Sequence, residues 1–345
     1  MKKYNIEKTS HGGTEAQSTR RKKKYRGNRG IIRLFSSFPF PPCLRASVRT
    51  SFEKILLFSI VSLTLSCKTT PAPQDFSLLT SVPLESGASV YILANVKEAA
   101  PILEVLPIDE LKDKQTKQMM DRTEFFAAGI FPPESGRRFQ IAAWGDYPAS
   151  GAGMALGMNK NWVKHNAKTG QYWYSIEDKL SIALEAKQAF AASWIDTQIS
   201  PITPMPGIEL PGSFIEFRKD ASLSFWVENP GPGIKRMLDT REIPIPFQIP
   251  AQCLFANLYA TGEEGGETLY YSVIRLQFSS SSQAQGIAAI FKMARNLLSD
   301  STMPLVKFFL VNPPVQNGNF LDIKTGLLTE NDLSLLLQMF LVNWN

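Results

Sequence analysis

The residues that could carry chemistry are few in this 345-residue chain. After residue 66 the sequence holds one histidine, His165, within the polar stretch NKNWVKHNAKTG. A single histidine cannot supply a typical histidine metal cluster, and no GxSxG turn provides a serine nucleophile beside it. We therefore expect His165 to be an exposed loop residue. We also expect that the protein has no metal site and is not an enzyme.

The glycines and clustered carboxylates also lack the pattern of a catalytic or cofactor site. The segment 228–235, ENPGPGIK, is broken by prolines and matches neither GxxxxGK[ST] nor GxGxxG, so it predicts a turn that closes a strand. Glu263, Glu264 and Glu267 lie in a predicted hairpin turn, where solvated charge is the usual role of such residues. We predict no cofactor.

Cys67 is the cysteine whose surroundings suggest a modification. The charged residues Arg49 and Lys54 precede an apolar run, 55–65, which is followed by Ser66 and Cys67. The run is shorter than the roughly 20 residues that span a bilayer, and its order of regions is that of a secretory signal. A cysteine directly after the small residue predicts a lipoprotein signal, with Cys67 lipidated as the mature N-terminus. The alternative is a buried apolar segment with a core cysteine.

The basic charge of the chain lies before this cysteine. Residues 1–66 carry 14 basic and 3 acidic residues, which leaves 23 basic and 28 acidic residues in 67–345. The run RRKKKYRGNRG alone would suggest nucleic-acid binding, but the mature part is mildly acidic, and we expect no nucleic-acid partner. Either translation starts near Val48, so that 1–47 are not translated, or the leader is a long basic one.

The third cysteine, Cys253, is flanked by apolar residues and is expected in a buried strand. Cys43 lies in the leader and Cys67 is the predicted anchor, so no disulfide can form within one mature chain.

The elements that would carry these residues form an α+β pattern. We predict a signal at 1–66, a tether at 67–75, an N-terminal unit at 76–198, a Pro-rich linker or covering loop at 199–213, and a C-terminal unit at 214–345. The predicted strands are 89–96, 138–144, 152–158, 172–177, 180–187, 214–218, 222–227, 252–260, 268–278, 306–311 and 320–324. Helices are predicted from Pro101, which would sit in a first turn, and at 110–131, 283–298 and 329–344.

A faint internal repeat accompanies this pattern. The segment ASVYILAN, from Ala88, can be aligned with ASLSFWVE, from Ala221, and each is followed by a hairpin. If the repeat is real, the fold is antiparallel sheets with packed amphipathic helices, built as two β-α-β-β-like units. The alternative is that any α+β chain can be aligned in this way.

Two predicted helices carry broad apolar faces. No charge occurs between Leu333 and Asn345, and such a helix must be covered by protein, lipid or a ligand tail. We predict membrane or ligand contacts from the final helix and the one before it, although burial in the core would explain the same pattern. The predicted contact residues are Leu333, Leu336, Leu337, Phe340, Leu341, Trp344, Ile287, Ile290 and Phe291.

The relaxed box LTLSC, the lone histidine and the amphipathic helices resemble those of spirochaete, in particular treponemal, outer-membrane lipoproteins. The resemblance implies a lipid-anchored protein on the periplasmic face of the outer membrane that binds lipid or an amphiphile and perturbs membranes through its helices. A structural lipoprotein that holds another envelope protein is the alternative.

Overall fold

The computed structural model describes residues 76, 79–105, 120–194, 198–203, 207–239, 249–264, 267–297 and 308–343. All belong to one compact unit, Ala46–Asn345. The leader, the signal with Cys67, and the 110–119 part of a predicted helix lie outside the described residues.

A 12-stranded antiparallel sheet forms the centre of this unit. Its strand order is β13-β14-β12-β11-β10-β2-β3-β4-β8-β7-β6-β5, and a separate two-stranded sheet pairs β1 with β9. The strands are β1 Ser81–Val82, β2 Val90–Asn95, β3 Thr123–Ile130, β4 Arg137–Gly145, β5 Trp162–Ala167, β6 Gly170–Ser175, β7 Leu180–Leu184, β8 Gln188–Trp194, β9 Ile208–Glu209, β10 Leu223–Glu228, β11 Ala251–Glu264, β12 Glu267–Phe278, β13 Val315–Asn317 and β14 Phe320–Lys324.

Six α-helices and a short 3-10 helix, Pro133–Ser135, accompany the sheet among the described residues. The α-helices are α1 Val96–Val105, α2 Ala149–Met158, α3 Gly212–Phe217, α4 Gly231–Asp239, α5 Ser281–Leu297 and α6 Glu330–Asn343. The predicted α+β class, an antiparallel sheet packed with helices, is confirmed.

The central strands are buried on both faces, and alternate residues point to two different cores. In β2, Val90 and Ala94 belong to one apolar cluster, whereas Tyr91 and Leu93 belong to the other. The first cluster contains apolar residues of α1, α4, α5 and α6, and we call its side of the sheet the helical face. The second contains residues of the covering segments, which we define as 79–88 and 207–217, and we call its side the covered face.

The two β-α-β-β units meet at the middle of the sheet. The first comprises β2, α1, β3 and β4, and the second comprises β10, α4, β11 and β12. Aligning Ala88 with Ala221 makes Ile92 equivalent to Phe225, and these two residues are paired directly between β2 and β10. In this alignment, equivalent positions of the two first strands therefore lie opposite each other in the β2–β10 pair.

The two covering segments pair with each other through β1 and β9, and their backbones come close together at Gly207. Gly207 has φ of 76°, and a Cβ built on it would lie 2.2 Å from the carbonyl oxygen of Val82. Only glycine fits this backbone conformation and this approach without displacement. Leu210 and Phe214 continue from there into the covered-face core.

Several local predictions were wrong. Residues 123–130 form strand β3 rather than helix, because both faces of this strand are buried and its apolar residues need no helical period. Residues 149–158 form helix α2 rather than strand, and 212–217 form helix α3. Residues 308 and 309 are helical instead of extended.

Two further corrections concern single residues. Pro101 lies inside helix α1, which already begins at Val96, so it is not a first-turn proline. His165 lies in strand β5, at the edge of the sheet, and not in a loop.

Candidate functional site

The predicted contact residues come together on the helical face. Leu333, Leu336 and Leu337 of α6 and Ile287 of α5 are buried in one core cluster, at 0 to 6% exposure. Ile290 and Phe291 are half-buried and pack against the same cluster. In this conformation the two helices therefore turn their apolar faces inward. The side chains of Phe340 and Leu341, and Trp344 as a whole, lie outside the described residues.

The start of α6 is fixed by a capping box, which the spacing of Thr329 and Asp332 in the sequence allows. The backbone N–H of Asp332 donates to Thr329 Oγ1 at 3.3 Å, and the backbone N–H of Thr329 donates to Asp332 Oδ2 at 3.2 Å. This reciprocal pair satisfies N–H groups that the first helical turn leaves unbonded. The cap sets where α6 begins and thus which of its leucines reach the core.

The other helices on this face close the layer. Helix α6 packs against α1, α4 and β12, and α5 packs against β12, β13 and β14. The hydroxyl of Tyr270 on β12 donates to the carbonyl oxygen of Pro101 at 3.0 Å and links α1 to the sheet. Met293 of α5 is 58% exposed, so this helix also presents an apolar side chain to solvent.

The covered face is packed with aromatic rings. Tyr91 stacks on Trp226 and Phe125 stacks on Trp144, each with centroids 4.6 Å apart. Phe214 of α3 contacts both Trp226 and Phe255. Phe214 and Trp226 are thus part of the core of this face, whereas Phe225 belongs to the core of the helical face.

Buried polar side chains hold the covering segments in place. Gln140, 1% exposed, accepts from the backbone N–H of Glu85 through Oε1 at 2.8 Å and donates from Nε2 to the carbonyl oxygen of Pro201 at 3.0 Å. Arg137 forms a 2.7 Å ion pair with Glu85 and lies over the rings of Phe131 and Trp194.

Arg218 makes the same kind of attachment at the end of α3. Its guanidinium donates to the carbonyl oxygens of Phe76 and Leu79 at 2.8 and 2.7 Å. Neither Gln140 nor Arg218 was identified from the sequence, because each resembles an ordinary surface polar residue and its partners are more than 50 residues away.

His165 and Cys253 occupy partly shielded positions. The ring of His165 stacks on Tyr172 at 5.3 Å, and its Nε2 is shielded from solvent without a hydrogen-bond partner among the described residues. Cys253 lies in strand β11 as predicted and is half-buried, and burial raises the pKa of its thiol.

The pKa shifts among the described residues come from burial and from one ion pair. Burial raises the pKa of Tyr147 to about 12, and it also raises the pKa of Tyr91 and Tyr270. Asp322 raises the pKa of Arg275 through a bidentate contact at 2.7 Å. Each shift strengthens the charge state that the group already has at pH 7. No group of three or more His, Cys, Asp or Glu able to hold a metal ion occurs in the described ranges.

None of the helices in the described part of the chain is long and apolar enough to cross a membrane.

Two comparisons with known proteins, one with solved structures and one with family models, found similarities to this chain. Three crystal forms of TP0453, from Treponema, are similar to this chain, with 16 to 18% identity and a TM-score of 0.48. The similarity covers 74% of this chain and 95 to 96% of those chains. No curated protein matches the sequence. The model of the family described as outer membrane-associated lipoprotein TP0453 matches residues 78–191, which confirms the predicted resemblance to treponemal outer-membrane lipoproteins.

Proposed function

We propose that this protein is a lipoprotein anchored through Cys67 to the periplasmic face of the outer membrane, and that it binds a hydrophobic or amphiphilic ligand, or the bilayer itself, through α5 and α6. Insertion of these helices would alter membrane permeability. The observation that carries the proposal is the single apolar cluster formed by Leu333, Leu336, Leu337 and Ile287 beneath two surface helices.

The energetics of that cluster favour a lipid-dependent opening. Burying one leucine side chain stabilises a fold by about 2 kcal/mol relative to water. Exposing three leucines of α6 to water is therefore unfavourable, but acyl chains are as apolar as the core that these leucines leave. We infer that the helices separate from the sheet only where hydrocarbon replaces it.

The outward surface of α5 offers the first contact for such hydrocarbon. Met293 exposes its side chain there and follows the exposed cation Lys292 in the sequence. An apolar side chain next to a cation suits the boundary between acyl chains and lipid headgroups.

Liposome flotation with dye release tests the proposal. Residues 68–345, which lack the lipid, are expected to float and to release dye, and Met293→Glu is expected to weaken both. Met154→Glu is the matched control, since Met154 is 63% exposed on α2, a helix outside this layer. A parent protein that neither floats nor binds a fluorescent long-chain fatty acid contradicts the proposal. Equal losses in the two variants contradict the role of α5.

A scaffolding lipoprotein is the second candidate, and one observation favours it. Helix α2 has no charged residue, and Met154, Met158, Val163 and Ile176 expose apolar side chains on α2, on β5 and in the turn between β6 and β7. This surface could hold another envelope protein. Co-purification of one protein at fixed stoichiometry, lost in Met158→Glu, would support this candidate in place of lipid binding.

A further inference from the structure

Arg218 is a buried cation that contacts the start of the described chain. It is 1% exposed, and it donates one hydrogen bond to the carbonyl oxygen of Phe76 and one to that of Leu79. Its guanidinium carbon lies 4.9 Å from the centre of the Phe76 ring. One side chain thus makes three contacts with Phe76 and Leu79.

A buried guanidinium is costly unless its donors are satisfied. Here two donors are spent on backbone carbonyls, and the planar fork of arginine suits two such acceptors at once. Arg218 thus holds this segment through two main-chain carbonyl oxygens and through the ring of Phe76. The segment in question immediately follows the predicted tether, 67–75.

These contacts place the exit of the tether on the covered face. The Phe76 ring packs against Phe125 at 5.5 Å, and Phe125 belongs to the covered-face core. Helices α5 and α6 contribute instead to the core of the opposite face. The end of the tether and the proposed lipid-contacting helices therefore lie on opposite sides of the sheet.

The length of the tether limits how far the body can turn. Nine peptide steps separate Cys67 from Phe76, and even a fully extended chain of this length spans at most about 32 Å. A helix layer on one face of a sheet and a covering layer on the other separate the two outer surfaces by roughly 25 Å. With the helical face toward the bilayer, the tether would use most of this reach to cross the thickness of the body and would also have to run around the sheet. Turning the covered face toward the anchoring bilayer requires neither.

We propose that Arg218 is the positioning residue that orients the protein on its membrane, with the covered face toward the anchoring bilayer and the helical face away from it. The inference rests on the lipidation of Cys67 in the proposed function. It also refines that function, since α5 and α6 then meet a soluble amphiphile or a second membrane. They reach their own bilayer only after Arg218 releases Phe76 and Leu79.

Energy transfer to the membrane measures this orientation in the lipidated mature chain. A donor dye is attached at Gly212→Cys on α3 or at Gly286→Cys on α5, in a Cys253→Ser background, and the liposomes carry an acceptor lipid. The two positions are matched, because a Cβ at either glycine meets no atom within 4 Å. We expect more efficient transfer from position 212 than from position 286. Equal transfer, or more transfer from 286, overturns the proposal.

Substitution of the arginine tests its role. Arg218→Met keeps the length of the side chain but removes both hydrogen bonds, and we expect it to reduce the difference between the two dye positions. Arg236→Met, an exposed arginine of α4, is the control and should leave the difference unchanged. If Arg218→Met does not fold, Phe76→Ala removes the ring from the guanidinium and is expected to act in the same direction. An unchanged difference in a folded variant contradicts the role of Arg218.

Two further measurements separate this inference from the proposed function. Mass spectrometry of the N-terminal peptide shows whether Cys67 carries lipid, and absence of the lipid overturns both proposals. Flotation of the lipid-free chain reports only on α5 and α6. A lipidated protein with the expected transfer pattern but no flotation without lipid upholds the orientation and contradicts the membrane-contact function.

Discussion

Burial controls the protonation of the tyrosines, and Tyr147 is the clearest example. Its hydroxyl lies 3.0 Å from Thr123 Oγ1 in a buried site, and its pKa rises from 10.0 to about 12. The folded state therefore holds the proton more tightly than the unfolded state does. This contribution to stability is complete below pH 10 and is lost as the pH rises toward 12.

We expect Tyr147→Phe to flatten the alkaline loss of stability. A shift of about two pKa units corresponds to at most about 2.7 kcal/mol between pH 10 and 12, and the phenylalanine variant lacks this term. At pH 7 the variant is expected to be less stable by about 1 kcal/mol, the usual worth of one hydrogen bond. Urea unfolding at pH 7 and at pH 11 measures both effects, and an identical pH dependence in parent and variant contradicts the prediction.

At the residue scale, contacts between residues close in sequence could be predicted, whereas contacts between residues far apart in sequence could not. The capping box at Thr329 and Asp332 follows from a spacing of three residues. The partners of Arg218 and Gln140 lie across the fold, and the printed sequence holds no sign of such a pairing. The side-chain clusters that decide the covered face could not be predicted for that reason.

At the scale of elements, the close backbone contact between Gly207 and Val82 sets how the two covering segments pack against each other. An alanine there would have to adopt a positive φ, and its Cβ would meet the Val82 carbonyl oxygen. We expect Gly207→Ala to destabilise the fold by about 1 to 3 kcal/mol, the usual cost of such backbone strain. Hydrogen exchange should then increase in 79–88 and 207–211.

Gly212→Ala is the control for this prediction. The same substitution meets open space at the start of α3, and it reduces the freedom of the unfolded chain. We expect a neutral or slightly stabilising effect at this position. Similar destabilisation of both variants in urea would show that steric contact at Gly207 is not the cause.

Helix α6 offers a second prediction at this scale. Leu336 is 1% exposed, and removing its side chain leaves a cavity in the helical-face core. We expect Leu336→Ala to lower the free energy of unfolding by about 2 to 5 kcal/mol. Leu327→Ala, at a side chain 58% exposed, should cost less than about 0.5 kcal/mol. A small loss at Leu336 would show that α6 is already detached from the sheet in solution.

Helix and strand assignments succeeded where the period of the sequence was clear. The amphipathic helix α5 and the hairpin of β11 and β12 agree with their predictions. Strand β3 was mistaken for helix because a strand buried on both faces has no alternation, so its apolar residues can match a helical period by chance. Helix α2 was mistaken for strand because its glycines discourage helix, although Gly157 lets the helix approach Trp173, where an added Cβ would lie 3.2 Å from the ring.

At the scale of the whole molecule, one sheet joins both sides of the 199–213 segment. Strands from 76–198 and from 214–345 pair at its centre, between β2 and β10. We expect one cooperative unfolding transition, with coincident loss of far-UV circular dichroism and tryptophan fluorescence. Two resolved transitions would show that the halves fold independently despite this pairing.

The direct pairing of Ile92 with Phe225 has a consequence for either unit in isolation. A chain of a single β-α-β-β unit would expose the edge of its first strand, and a second copy could cover that edge by antiparallel pairing at the same position. In the present chain the same pairing is made internally and lies in the middle of one sheet. Outside the two units the edges differ, because β8 to β5 extend one side of the sheet and β14 and β13 extend the other.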